Sequence, residues 1–91
     1  MEFVRPLTDV ELKENQTAKL ECELNKPGEK ITWYKNGDPI TPDGKNIIAA
    51  TDDTCKVHTL ILKKVDATDA AKYTVKTSGP QSNALLYVEG L

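Results

Sequence analysis

Ala18-Lys19-Leu20-Glu21-Cys22-Glu23-Leu24 alternates apolar and charged residues without a break. Successive side chains of an extended chain point to opposite faces. The stretch therefore reads as a strand with Ala18, Leu20, Cys22 and Leu24 on a dry face and Lys19, Glu21 and Glu23 toward water. A helix would scatter the four apolar residues around its circumference. A strand with one dry face needs a second sheet to cover it.

The same period recurs on both sides of this strand. Val10 and Leu12 alternate with charged neighbours upstream. Downstream, Lys26-Pro27-Gly28-Glu29 is a turn, Ile31 to Lys35 is a strand carrying Trp33, and Asn36-Gly37-Asp38-Pro39 is a second turn. Thr41-Pro42-Asp43-Gly44 turns the chain before Ile47-Ile48-Ala49-Ala50, and Thr51-Asp52-Asp53 leads into a strand ending Leu60-Ile61-Leu62. Lys63 to Ala70 is a corner, Lys72 to Thr77 a strand, Ser78-Gly79-Pro80 a hairpin turn, and Ala84, Leu86 and Val88 alternate in the last strand. About eight short strands with no sustained helical period predict an all-β sandwich of stacked antiparallel sheets.

Composition fits one such domain. A chain of 91 residues buries roughly 60–65% of the surface its unfolded form exposes, enough for one modest core. Hydrophobic residues make up 38% and charged residues 29%, and the net charge is −2. With no basic run, neither nucleic acid nor a membrane surface is expected as partner. No apolar stretch approaches the ~20 residues that span a bilayer, and Met1 to Pro6 lacks the apolar segment of a signal peptide.

Cys22, then Trp33, then Asp69-Ala70-Ala71-Lys72-Tyr73-Thr74-Val75 together resemble the Cys, Trp and Asp-x-Gly-x-Tyr-x-Cys series of immunoglobulin domains. Phe3-Val4-Arg5-Pro6-Leu7, the strand Ala18 to Leu24 and Ile31 to Gly37 narrow the resemblance to the intermediate (I) set. The similarity is to domains of giant muscle proteins of the titin, twitchin, obscurin and myosin-binding protein C type. It implies a Greek-key sandwich over residues 1–91, one bead of a tandem array, with Cys22, Trp33, Leu60, Leu62, Tyr73 and Val75 as structural core. Tyr73 is then the corner tyrosine whose hydroxyl bonds backbone a few residues upstream. Val88-Glu89-Gly90-Leu91 looks like the short link into a next module.

Two positions depart from the family pattern. Val75 stands where the second sheet-bridging Cys belongs and Ala71 where Gly belongs. The standard disulfide cannot form. Such a bridge is typically worth about 2–5 kcal/mol to a secreted domain, so its absence favours a cytosolic branch in which Val75 packs against Cys22 and Trp33. Ala71 implies corner backbone with φ below zero or mild strain.

The remaining chemistry is sparse. Cys55 lies five residues before Leu60, so alternation puts it on the face opposite the core and away from Cys22, leaving two unpaired thiols. Asn15-Gln16-Thr17 satisfies the N-glycosylation pattern, but Asn in a turn has its own reason to be there. His58, the lone histidine, shares the parity of Leu60 and is expected at the core edge as a hydrogen-bonded structural residue. Asp43, Asp52 and Asp53 lack the ligand ladder of a calcium loop and read as turn residues. Lys13, Lys19, Lys56, Lys63 and Lys64 are scattered among acids as solvated strand faces. With no Gly-rich phosphate loop, nucleophile elbow or paired carboxylates, no catalysis, metal or cofactor is expected. Outward-facing Val57, Ile61, Leu85 and Tyr87 are the candidate protein-contact patch.

The expected function is a non-catalytic structural and docking module of a sarcomeric or cytoskeletal chain. It would be cytoplasmic, at the myofibril, and monomeric in isolation. Neighbouring immunoglobulin or fibronectin modules, and another sarcomeric protein, are the expected partners. Phe3 to Leu7 would be the edge strand engaged first under axial load, its pairing limited by Arg5-Pro6. The alternative is an extracellular adhesion or receptor module, for which the sequon speaks and Val75 argues against.

Overall fold

A computed structural model describes residues 1–90; Leu91, the last residue of the expected link, lies outside the described residues. The strands are β1 (Phe3–Arg5), β2 (Val10–Lys13), β3 (Ala18–Leu24), β4 (Thr32–Lys35), β5 (Asp38–Pro39), β6 (Ile47–Thr51), β7 (Val57–Leu62), β8 (Ala71–Lys76) and β9 (Gln81–Glu89). One sheet has the order β1-β3-β7-β6 and the other β2-β9-β8-β4-β5. Among the described residues every pairing is antiparallel except that of β2 with β9. The sole helical element there is a 3₁₀ turn over Ala67–Asp69.

The stretch Asn36-Gly37-Asp38-Pro39, expected as one turn, splits in two. Asn36 and Gly37 have φ of +50° and +88°. Positive φ at both central residues makes a tight hairpin bend, and Asn-Gly adopts it at least cost. Asp38 and Pro39 then pair back on Lys35 and Tyr34 as β5. That short edge strand makes nine where about eight were expected.

The two inner faces interdigitate as the alternation dictates. Ala18, Leu20, Cys22 and Leu24 come from β3, Leu60 and Leu62 from β7, Trp33 from β4, Tyr73 and Val75 from β8, and Ala84 and Leu86 from β9; all are buried. Leu7, between β1 and β2, and Val65, between β7 and β8, are buried where the chain crosses from one sheet to the other. Apolar area removed from water at ~25 cal/mol per Å² is the main drive for closing the sandwich.

The corner before β8 is held by polar groups. Asp66 caps the 3₁₀ turn in a reciprocal capping box with Asp69. The buried Tyr73 donates its hydroxyl to the Asp69 carbonyl at 2.6 Å, and burial pushes the phenol up to about 12. Lys35 Nζ donates to the Thr68 carbonyl at 2.6 Å, tying the corner to β4. Among the described residues Ala71 is not one of those with positive φ, so its methyl meets no backbone conflict there.

The edges are short or covered. Arg5-Pro6 ends β1 after three residues; the chain then crosses to the other sheet, where the Leu7 N–H donates to Ser82 Oγ at 3.0 Å. At the β6 edge, Asp43 Oδ1 accepts the N–H groups of Lys45, Asn46 and Ile47. The Ile47 carbonyl in turn accepts from the Asp43 and Gly44 amides.

The first and last strands leave the sandwich at opposite poles. The Glu2 amide donates to Asn25 Oδ1, just past the end of β3, whereas the Glu14 amide, just before β3, donates to the Glu89 carbonyl at the end of β9. The body between measures 41 × 21 × 21 Å.

Candidate functional site

Cys22, Trp33, Leu60, Leu62, Tyr73 and Val75 share one buried cluster between the sheets. Trp33 lies opposite Val75 in the β4–β8 ladder, and Cys22 lies opposite His58 in the β3–β7 ladder. Desolvation raises the Cys22 thiol to about 11, so it stays protonated and unreactive at neutral pH.

The four contact candidates do not form one patch. Val57 and Ile61 lie on β7, on the outer face of the four-stranded sheet, while Leu85 and Tyr87 lie on β9, on the outer face of the other. Parity along late strands fixes inside against outside but not which sheet a strand joins. Val57 and Ile61 are half-buried, opposite Glu23 and Lys19 across the ladder. Leu85 and Tyr87 are 40% and 51% exposed.

The outer face of the four-stranded sheet neutralises its own charge. Arg5 Nη1 lies 3.2 Å from Glu21 Oε1 and its Nε 3.3 Å from Glu23 Oε1. Lys19 Nζ lies 3.4 Å from Glu21 Oε2, and Thr59 Oγ1 donates to the same oxygen at 3.2 Å. The hydrogen bond from Arg5 is the main reason the Glu21 carboxyl sits below its ordinary range.

On the other outer face, Tyr34, Asn36, Lys72, Thr74, Lys76 and Asn83 surround a shallow hollow of about 450 Å³ that, among the described residues, no carboxylate lines. Lys76 Nζ stands 4.7 Å from the centre of the Tyr34 ring, and Thr74 Oγ1 donates to Asn83 Oδ1 at 2.6 Å on the floor. This group was not singled out from sequence. Alternation along Lys72-Lys76 would have put both lysines and Thr74 on one outward row, but Tyr34 and Asn83 arrive from other strands.

Cys55 is exposed and unpaired, for a reason other than strand parity. Asp52 accepts from Thr54 Oγ1 and from the Val57 N–H, so the strand begins only at Val57. Cys55 sits in the intervening turn with φ of +58°. His58 lies deeper than the expected core edge. It is buried, with Nδ1 3.2 Å from Thr51 Oγ1 and Nε2 without a partner among the described residues. Burial lowers its pKa and favours the neutral ring.

Asn15 occupies a left-handed turn position with φ of +69°, its N–H donating to the Val65 carbonyl at 2.8 Å. Asp43 and Asp52 stand at opposite ends of β6, each accepting from its own turn. Among the described residues no helix is long and apolar enough to cross a membrane.

A match to the immunoglobulin I-set domain covers residues 1–84. The chain belongs to the I-set immunoglobulin family. The I-set domain is 36% identical to titin of Drosophila melanogaster over 96% of its length. It is 32% identical to the muscle M-line assembly protein unc-89 of Caenorhabditis elegans over 90%, and 37% identical to hemicentin-1 of Homo sapiens over 77%. It spans at most 1% of the length of each of these relatives. Among solved structures, the I9–I11 tandem from titin superposes with a TM-score of 0.93 at 29% identity, covering 99% of this chain and 33% of that one. The Tyr73 corner bond and the Cys22–Trp33 core thus take their places in an I-set sandwich, a family that is generally non-catalytic.

Proposed function

We propose that this I-set domain is a non-catalytic, load-bearing and docking module of a long muscle protein, cytoplasmic at the myofibril, flanked by further modules. The observation that carries the reading is the exit of the first and last strands at opposite poles of a 41 Å body. Such ends suit beads joined in series. Tension along the axis shears the parallel β2–β9 ladder, Val10 to Lys13 against Leu86 to Glu89, so its hydrogen bonds share the load instead of parting one by one. Similarity to titin and to a muscle M-line assembly protein supports the muscle setting.

A polyprotein of this domain, pulled through its ends, tests the reading. Each domain should resist and then extend in one step of about 280 Å, the ~3.5 Å per residue of an extended chain less the folded length. Glu14→Pro, which removes the Glu14 to Glu89 bond, should lower the force and keep the single step. Extension without a force peak would sink the load-bearing role.

The sequon supports a second reading, an extracellular module, because Asn15 and Thr17 are both exposed. Secretory expression with and without glycosidase separates the two. A glycan mass shift with good secretion favours the second reading, and unmodified protein the first.

A further inference from the structure

We propose that the outer face of the five-stranded sheet docks an extended acidic segment of a partner polypeptide, its carboxylates meeting Lys72 and Lys76. The proposal rests on the docking half of the reading above and names its face and its chemistry. The chain is net negative at −2, yet the hollow over Thr74 holds two ammonium groups and, among the described residues, no carboxylate. Among the described residues the ion pairs lie on the opposite sheet, and none involves Lys72 or Lys76. The Tyr34 ring holds Lys76 over the hollow while leaving its charge available to an anion.

Geometry selects an extended ligand. Lys72 and Lys76 are four residues apart on β8, with side chains on the same face, hence ~13 Å apart along the strand. An extended partner with acidic residues at the same interval places both carboxylates on one side, and the residue midway between them over Thr74 and Tyr34. A helix brings residues four apart to within about 6 Å, about half the backbone separation of the two lysines, so the extended ligand matches their spacing better. Because Asn83 Oδ1 already accepts from Thr74, its NH₂ group is the side offered outward, as a donor for carboxylate or backbone carbonyl. Leu85 and Tyr87, exposed on the neighbouring strand, extend the face with apolar area. Two lysines are few for a phosphate backbone, whose binding grows with the number of cations engaged.

The test uses the isotope-labelled domain and three blocked seven-residue peptides. One is threonine with glutamates at its second and sixth positions, one has glutamates at the second and fifth, and one has lysines in place of the first peptide's glutamates. The first peptide should shift amide resonances on β4, β8 and β9 and leave β3 and β7 unmoved. The second should bind roughly fivefold more weakly, as expected for loss of one exposed ion pair, and the lysine peptide should not bind. Lys72→Gln with Lys76→Gln should abolish the shifts while keeping the dispersed spectrum of a folded sandwich.

Shifts spread over both sheets, equal binding of all three peptides, or binding unchanged in the double variant would overturn the proposal. Tighter binding of a single-stranded oligonucleotide than of the first peptide would also overturn it, in favour of nucleic acid. Pulling the double variant separates the two levels. An unchanged force peak with no peptide binding leaves the module reading standing and removes only this face.

Discussion

On the four-stranded sheet Arg5 reaches Glu21 and Glu23 and Lys19 reaches Glu21, whereas on the five-stranded sheet Lys72 and Lys76 face a hollow that no carboxylate lines among the described residues. Both faces are exposed strands of alternating sequence, and both carry lysine. The difference lies in what the neighbouring strand supplies. Beside β3, β1 and β7 bring Arg5 and Thr59 to the acids; beside β8, β9 and β4 bring Asn83, Gln81, Tyr34 and Thr32. One face has its charges committed to the fold, and the other holds them available.

The largest effect should erase the comparison. Trp33→Ala empties the centre of the core shared by both sheets and should cost about 3–5 kcal/mol, a large part of the roughly 5–15 kcal/mol by which domains are stable. Urea unfolding would show the midpoint collapse, and neither face would survive to be compared. Tyr73→Phe is gentler. It keeps the ring and leaves the Asp69 carbonyl without its 2.6 Å partner, for a loss of about 1–3 kcal/mol in the same measurement.

Glu21→Gln tests the committed face alone. Its cost should stay below about 1 kcal/mol, as for exposed pairs generally. Because the folded Glu21 carboxyl titrates below its ordinary value, the contribution is present above the unfolded carboxyl's pKa and is lost as pH falls through the folded one. Melting temperatures of wild type and variant should therefore differ at neutral pH and converge in acid. Lys72→Gln with Lys76→Gln should produce the smallest change in the same melting comparison, no more than about 0.5 kcal/mol, the low end for an exposed cation–π contact such as that of Lys76 with Tyr34. A loss as large as that of Glu21→Gln would show that these lysines also serve the fold.

Part of the interior was legible through geometry and part through resemblance. The side-chain period of two is a property of extended backbone, so Ala18, Leu20, Cys22 and Leu24 could be sent inward without knowing their partners, whereas Trp33, Leu60, Leu62, Tyr73 and Val75 were placed in the core by their resemblance to immunoglobulin domains. Period says nothing about pairing across distance. That β2 runs parallel to β9, some seventy-six residues on, follows the crossover at Pro6 and Leu7, and the separation of Val57 and Ile61 from Leu85 and Tyr87 follows the crossing between β7 and β8 over Lys63 to Ala70. Side-chain acceptors escape alternation as well. Asp52 takes the Val57 N–H and delays the strand, so Cys55 reached the surface through a left-handed turn. Asn36-Gly37 was legible as a bend, but the pairing of Asp38 and Pro39 beyond it was not.

Asp43 has a consequence for handling the protein. By gathering the amides of Lys45, Asn46 and Ile47, it withholds from a second molecule the donors at the start of the β6 edge. Those same bonds, Ile47's first, hold its carboxyl below the ordinary range, so the guard persists into mild acid and fails when the carboxyl finally protonates. Beyond that point two copies gain a place to zip edge to edge, and a clear stock at neutral pH should turn cloudy when acidified.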